Sequence, residues 1–202
     1  MITSYREYTP LIDTDVWIAP DATVSGNVTI GAGSRVLHGA RIVAEGGGAI
    51  QIGRCCIVME NAVIRATTRH PCKVGDHCLF GPHSHVVGAQ IEDEVFVATG
   101  ASIFHGAVIG KGAEIRVTGT VHLRSHLPAG ATVPIGWIAV GDPAQNFSPD
   151  RHEEIWAVQK PLDFPGFVYG VERTSPDLMR QVTTRLSENL RAHAHTAIEP
   201  NT

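Results

Sequence analysis

One aliphatic position returns every six residues through most of this chain, and that period leaves few folds open. It falls at Ile18, Val24, Ile30, Val36 and Ile42, resumes at Ile52, Val58 and Ile64, and continues at Val74, Phe80 and Val86. From Ile91 it runs through Val97, Ile103, Ile109, Ile115, Val121 and Leu127 to Val133. The step is broken three times, between 42 and 52, between 64 and 74, and between 86 and 91. Two residues before each aliphatic lies a second register of mostly small side chains, among them Ala22, Ala40, Ala62, Ser84 and Ala101. A period of six matches neither the 3.6 of a helix nor the 3.5 of a coiled coil.

Two registers in phase describe a chain that coils through three short flat strands per turn. The aliphatic fills the interior and the small residue sits inside each corner. Three hexads make a triangular coil, and successive coils stack about 4.8 Å apart, the ordinary strand spacing. The fold class is therefore mainly β, a left-handed parallel β-helix, with each coil touching only its neighbours. Its hand departs from the usual right-handed crossover. The expected organisation is an N-terminal segment over 1–15, the solenoid over 16–140, and a C-terminal loop and helical extension over 141–202.

In that extension Ser148 and Ser175 are the expected N-caps, each followed by a proline at the first helical position. Leu178, Val182, Leu186 and Leu190 form an apolar stripe suited to a solenoid face in the same or a neighbouring subunit. Residues 161–174 are expected to be a connecting loop.

Composition narrows the function classes. The chain carries 16 basic against 20 acidic side chains and no basic run, which disfavours nucleic acid as a partner. Neither a signal-type leader nor a membrane-length apolar run is evident, so no membrane partner is expected and a cytoplasmic protein is. Cys56, Cys72 and Cys78 all fall in the small inward register and read as reduced core thiols; Cys55 is one residue off it and more exposed. No phosphate-binding glycine loop or Ser-His-Asp set stands out.

The stretches "WIAPDATVSGNVTIGAGSRV", "IGRCCIVMENAVIR" and "VGDHCLFGPHSHVVGAQI", closed by "VGDPAQ", resemble the γ-class carbonic anhydrase-like branch of the hexapeptide-repeat proteins over about residues 16–147. That resemblance implies a homotrimer with zinc between subunits, held by three histidines and activating a water for attack on CO2. The three ligand positions correspond here to Arg65, Pro82 and Val87, none of them histidine. Two supporting segments align with Val43, Ala44 and Glu45 and with Met59 and Glu60, each keeping an acid.

His83 and His85 flank the ligand positions without occupying them. Ser84 between them is a corner residue, so the chain turns there and a shared metal does not follow from the spacing. Outward Arg65, Val87, Phe104 and His122 should form one column, with His105 beside it. Three uses stay open for these histidines: a relocated zinc or other divalent metal site using two or three of His83, His85, His105 and His122, with His83 and His85 the first candidates, a metal-free pocket, or solvated surface groups. In the metal-free pocket Glu60, His85 and His105 are the candidate catalytic residues, and Arg65, Glu45 and His122 the candidate substrate-binding ones. Arg65 repels a metal cation but suits a carboxylate, phosphate or thioester oxygen; alternatively it pairs with Glu60 or Glu45. The remaining histidines, including His38, His193 and His195, show no convincing partners, and His70 lies in a loop with nothing to fix its direction.

The functions that follow are three. The first is a γ-carbonic anhydrase-like trimer with a degenerate or relocated metal site, lacking the standard activity and acting on a small anionic or acyl compound at the subunit interface. The second is an acyl-CoA-dependent acyltransferase, disfavoured by having only Lys111, Arg116 and Arg124 near its closing segment to meet the phosphates. The third is a non-catalytic scaffold or binding trimer.

Overall fold

The computed structural model describes residues 1–191. Its strands form three sheets of nine, seven and seven strands, parallel except for the last strand of the nine-stranded sheet, and the coils of the solenoid give one strand to each sheet. In the nine-stranded sheet Ile42, Ile64, Val86, Ile103 and Val121 stand in register on consecutive strands, and all are fully buried. The small register is equally closed: Ala40, Ala62 and Ala101 are 0 % exposed and Ser84 1 %. Cys56, Cys72 and Cys78 are buried thiols of this interior, and Cys55 is exposed. The stack thus stabilises itself by apolar burial, about 25 cal/mol per Å² removed from water.

The sheets also take in two strands before residue 16, Ile2–Thr3 and Leu11–Ile12, paired with Val24–Ser25 and Thr29–Ile30. At the other end Ile138–Gly141 is the last parallel strand, and Ala144–Phe147 returns antiparallel against it.

The two interruptions after Ile42 and Ile64 are insertions at one corner, stacked on each other through the bond from the Glu45 N–H to the Ala66 carbonyl. The slip after Val86 is a shortcut made possible by Gly88. Its φ is +56°, and a Cβ there would lie 2.5 Å from Cβ of His70. Only glycine meets both demands, and the shortcut lets His70 of the second insertion lie against the solenoid.

Both expected N-caps are displaced. Helix α1 spans His152–Gln159 and helix α2 Leu178–Leu190, with Arg151 and Asp177 at the caps and no capping side-chain bond. Ser148 and Ser175 instead open turns closed by the bonds from Arg151 N–H to the Ser148 carbonyl and from Leu178 N–H to the Ser175 carbonyl. Each proline therefore takes the second position of a turn, which suits its fixed φ as well as a helix start does. Residues 161–174 are more ordered than a plain connector. A 3-10 turn at Lys160–Leu162 is followed by a π-helical stretch at Pro165–Tyr169, ended by Gly170 at φ +68°. Helix α1 buries Ile155 against Val140 and Phe147. Of the α2 stripe only Val182 is fully buried; Leu186 and Leu190 stand at the rim of clefts beside the insertions of the same chain. His193 and His195 lie outside the described residues.

Candidate functional site

A cavity of about 600 Å³ opens between the outer surface of the nine-stranded sheet and the C-terminal extension. The solenoid contributes Arg65, His85, Val87, Phe104 and His105; the first insertion adds Glu45. Phe164 and Tyr169 from the segment between the helices, and Arg185 and Leu186 from α2, complete the enclosure. The Phe164 and Tyr169 rings meet edge to face at 5.6 Å. Arg185 Nη1 donates to the carbonyls of Tyr169, at 3.3 Å, and Gly170, at 2.7 Å, which ties α2 to this segment.

Arg65 stands opposite Val87 in register, both projecting from the sheet. Its Nη2 donates to Glu45 Oε2 at 2.7 Å, which resolves the choice of partner in favour of Glu45 over Glu60. The pair is half-buried, with side chains 40 % and 23 % exposed. A guanidinium has five N–H donors in a fork, so the other donors of Arg65 stay available to the cavity.

The imidazoles here are held neutral. Burial pushes His105 down to about 4, with His70, Arg65 and His85 adding to the effect. Burial, then the charge of Arg65, lowers His85 as well. His105 is only 8 % exposed, and its Nδ1 is buried with no hydrogen-bond partner. Behind it lies His70, 7 % exposed, its ring 5.0 Å from that of His105. His70 Nε2 donates to the Phe167 carbonyl at 3.3 Å, so the neutral ring carries its proton on Nε2. Burial is also the main cause that lowers its pKa.

The other sequence candidates lie elsewhere. His122 packs beside Phe104, ring centroids 6.1 Å apart, and burial brings it down to about 4, but it does not line the cavity. Its Nδ1 is buried and unpartnered too. His83 is exposed on its corner at φ +57°, and the buried Ser84 separates it from His85. The Glu60 carbonyl accepts from the His83 N–H, and Glu60 is not one of the residues that line the cavity. Pro82 lines a different, apolar groove with Leu79 and Phe96 on another face. Glu45, Arg65, His85 and His105 are therefore brought together, whereas Glu60, His83 and His122 are not. His38 has a partner after all, with Nδ1 2.7 Å from Asp21 Oδ1.

The residues present do not fit the zinc set that the sequence resemblance implies. Arg65 places a cation at one ligand position, Val87 is apolar and 4 % exposed, and Pro82 has no donor side chain. Among the described residues no group of three or more His, Cys, Asp or Glu side chains is placed to hold a metal.

Two parts of the site were invisible in the hexad reading. His70 sits in an insertion, where the repeat says nothing of direction; the adjoining slip at Gly88 was the signal. The aromatic wall lies in "FPGFVYG", whose density of rings is unusual for an exposed connector in a chain with 6 % aromatics.

Comparison with known proteins agrees with this architecture. The chain is 29 % identical over 127 residues to the mitochondrial γ carbonic anhydrase 2 of Arabidopsis thaliana, a match covering 60 % of this chain and 45 % of that protein. The mitochondrial γ carbonic anhydrase 1 of the same plant is 26 % identical over 127 residues, covering 60 % and 46 %. The chain thus spans under half the length of these curated relatives. A Bacillus cereus protein solved as a candidate acetyltransferase superposes with a TM-score of 0.55 at 21 % identity, covering 96 % of both chains, which bears on the fold alone. No protein-family model matches. No helix among the described residues is long and apolar enough to cross a membrane. In its hexad repeat, its three-sheet solenoid and these relatives the chain is similar to the γ-carbonic anhydrases.

Proposed function

We propose that this γ-carbonic anhydrase-like chain has given up the standard zinc centre and binds a small organic anion in the cavity beside Arg65, as a homotrimer with that cavity near a subunit boundary. The observation that carries the reading is the Glu45–Arg65 pair: a permanent cation, oriented by a carboxylate at 2.7 Å, stands where a metal ligand is expected. A bidentate contact from the free side of the guanidinium suits a carboxylate or a thioester oxygen. His85 and His105, neutral near pH 7, can accept a proton from the ligand or from water, and Arg65 stabilises negative charge that develops beside them. Glu60, His83 and His122 are assigned no direct part in this chemistry. The acyltransferase alternative has only the likeness of fold behind it.

Calorimetry with acetate, together with metal analysis after growth in zinc-supplemented medium, tests the reading. Weak, saturable acetate binding that is lost in Arg65→Gln, with substoichiometric metal, is expected. Stoichiometric zinc with CO2 hydration would overturn it. Light scattering should give three chains per particle; a monomer would remove the interface from the proposal.

A further inference from the structure

We infer that the cavity takes a monocarboxylate bearing a ring-sized apolar body, with the carboxylate at Arg65 and the body against Phe104; this rests on the anion-binding reading above and narrows its ligand class. Three observations carry it. The first is size: about 600 Å³ falls in the range of pockets that enclose whole organic ligands, and a one-carbon anion would leave most of it filled with water. The second is charge. The titratable groups facing the cavity are Glu45, Arg65, Arg69, Arg185, Tyr169 and the two imidazoles. Three guanidiniums therefore face one carboxylate, and the imidazoles add no charge near neutrality.

The third observation is the division of the wall. The guanidiniums share it with Val87, Phe104, Phe164, Val168 and Leu186, so cationic and apolar surfaces meet in one space. Val87 lies on the sheet, Phe104 directly follows the strand Ser102–Ile103, and Phe164 comes from the segment between the helices, so the apolar lining is drawn from both parts of the chain. Aromatic walls favour a flat body, which they can meet face to face or edge on. His105, more than nine-tenths buried, also lines this wall.

Calorimetric titration of the full chain near pH 7 with benzoate, acetate and benzamide tests the inference. Benzoate should bind at one per chain, with acetate and benzamide each about tenfold or more weaker, since each lacks one half of the recognition. Phe104→Ala should weaken benzoate and leave acetate unchanged, whereas Arg65→Gln should weaken both anions. Phe104→Leu, which keeps most of the apolar volume, replaces the alanine variant if that one unfolds on heating below the wild type. Acetate binding as tightly as benzoate would overturn the apolar half while the anion reading at Arg65 survived. Benzamide matching benzoate would overturn the charge requirement. Benzoate binding unaltered in both variants would place it elsewhere and overturn the inference, and absence of binding by either anion would remove this inference and the anion reading together.

Discussion

The two sides of a single strand in this protein obey different rules. On the strand Val63–Ala66, Ile64 points inward and is 0 % exposed, stacked between Ile42 and Val86. Its neighbour Arg65 points outward, half-exposed, into a cavity shared with His85, Phe104 and His105. Inside, each side chain is fixed by the coil above and the coil below, so one aliphatic recurs at nearly every turn. Outside, nothing repeats, and histidine, arginine, valine and phenylalanine follow one another. The interior stabilises the fold, and the exterior is free to carry chemistry.

That contrast can be broken most severely from the inside. Ile64→Ala should lower the unfolding free energy by about 3–4 kcal/mol, read by chemical denaturation, because the closed stack cannot collapse around the lost atoms. Acid should act through the outside. The folded-state pKa of His105, about 4, lies below its unfolded value of 6.5, so between these limits the unfolded chain binds a proton that the folded chain refuses. Stability is therefore intact above about pH 6.5 and falls as the pH drops toward 4, by up to about 3 kcal/mol from this residue. In His105→Asn the slope of stability against pH over that window should be shallower, with the part due to His122 remaining. An unchanged slope would count against a buried neutral His105.

Gly88 lies where the two sides meet. Gly88→Ala puts a Cβ 2.5 Å from that of His70 at a positive φ, and should cost about 2 kcal/mol while displacing the His70 ring from His105. Altered imidazole signals of both histidines in an NMR titration would reveal the displacement. Smallest of all should be Glu45→Gln. The partly exposed ion pair contributes less than about 1 kcal/mol to stability, so thermal unfolding should hardly move even where acetate binding changes.

How much of this was legible in sequence follows the same division. The hexad at Ile42, Ile64 and Val86 specifies the coil, because a repeating constraint leaves a repeating trace. The outward projection of Arg65 and Val87 follows from that register. Its pairing with Glu45 rather than Glu60 does not, since it depends on how an insertion folds back. Phe164 and Tyr169 come from a segment far along the chain, and a one-dimensional period carries no information about a contact across so many residues. The displaced helix starts at Ser148 and Ser175 show local ambiguity of another kind, since a serine followed by proline suits a turn as well as a cap.

The strand Ala144–Phe147 has a consequence of its own. Every other pairing in the solenoid is parallel, and a parallel stack presents an end on which a further identical coil can in principle grow. By running the opposite way, this last strand offers a mismatched polarity at the end of the nine-stranded sheet, while the other two sheets end on the parallel strands His126–Leu127 and Thr132–Val133. At that one sheet a reversal of chain direction takes the place of a further parallel coil.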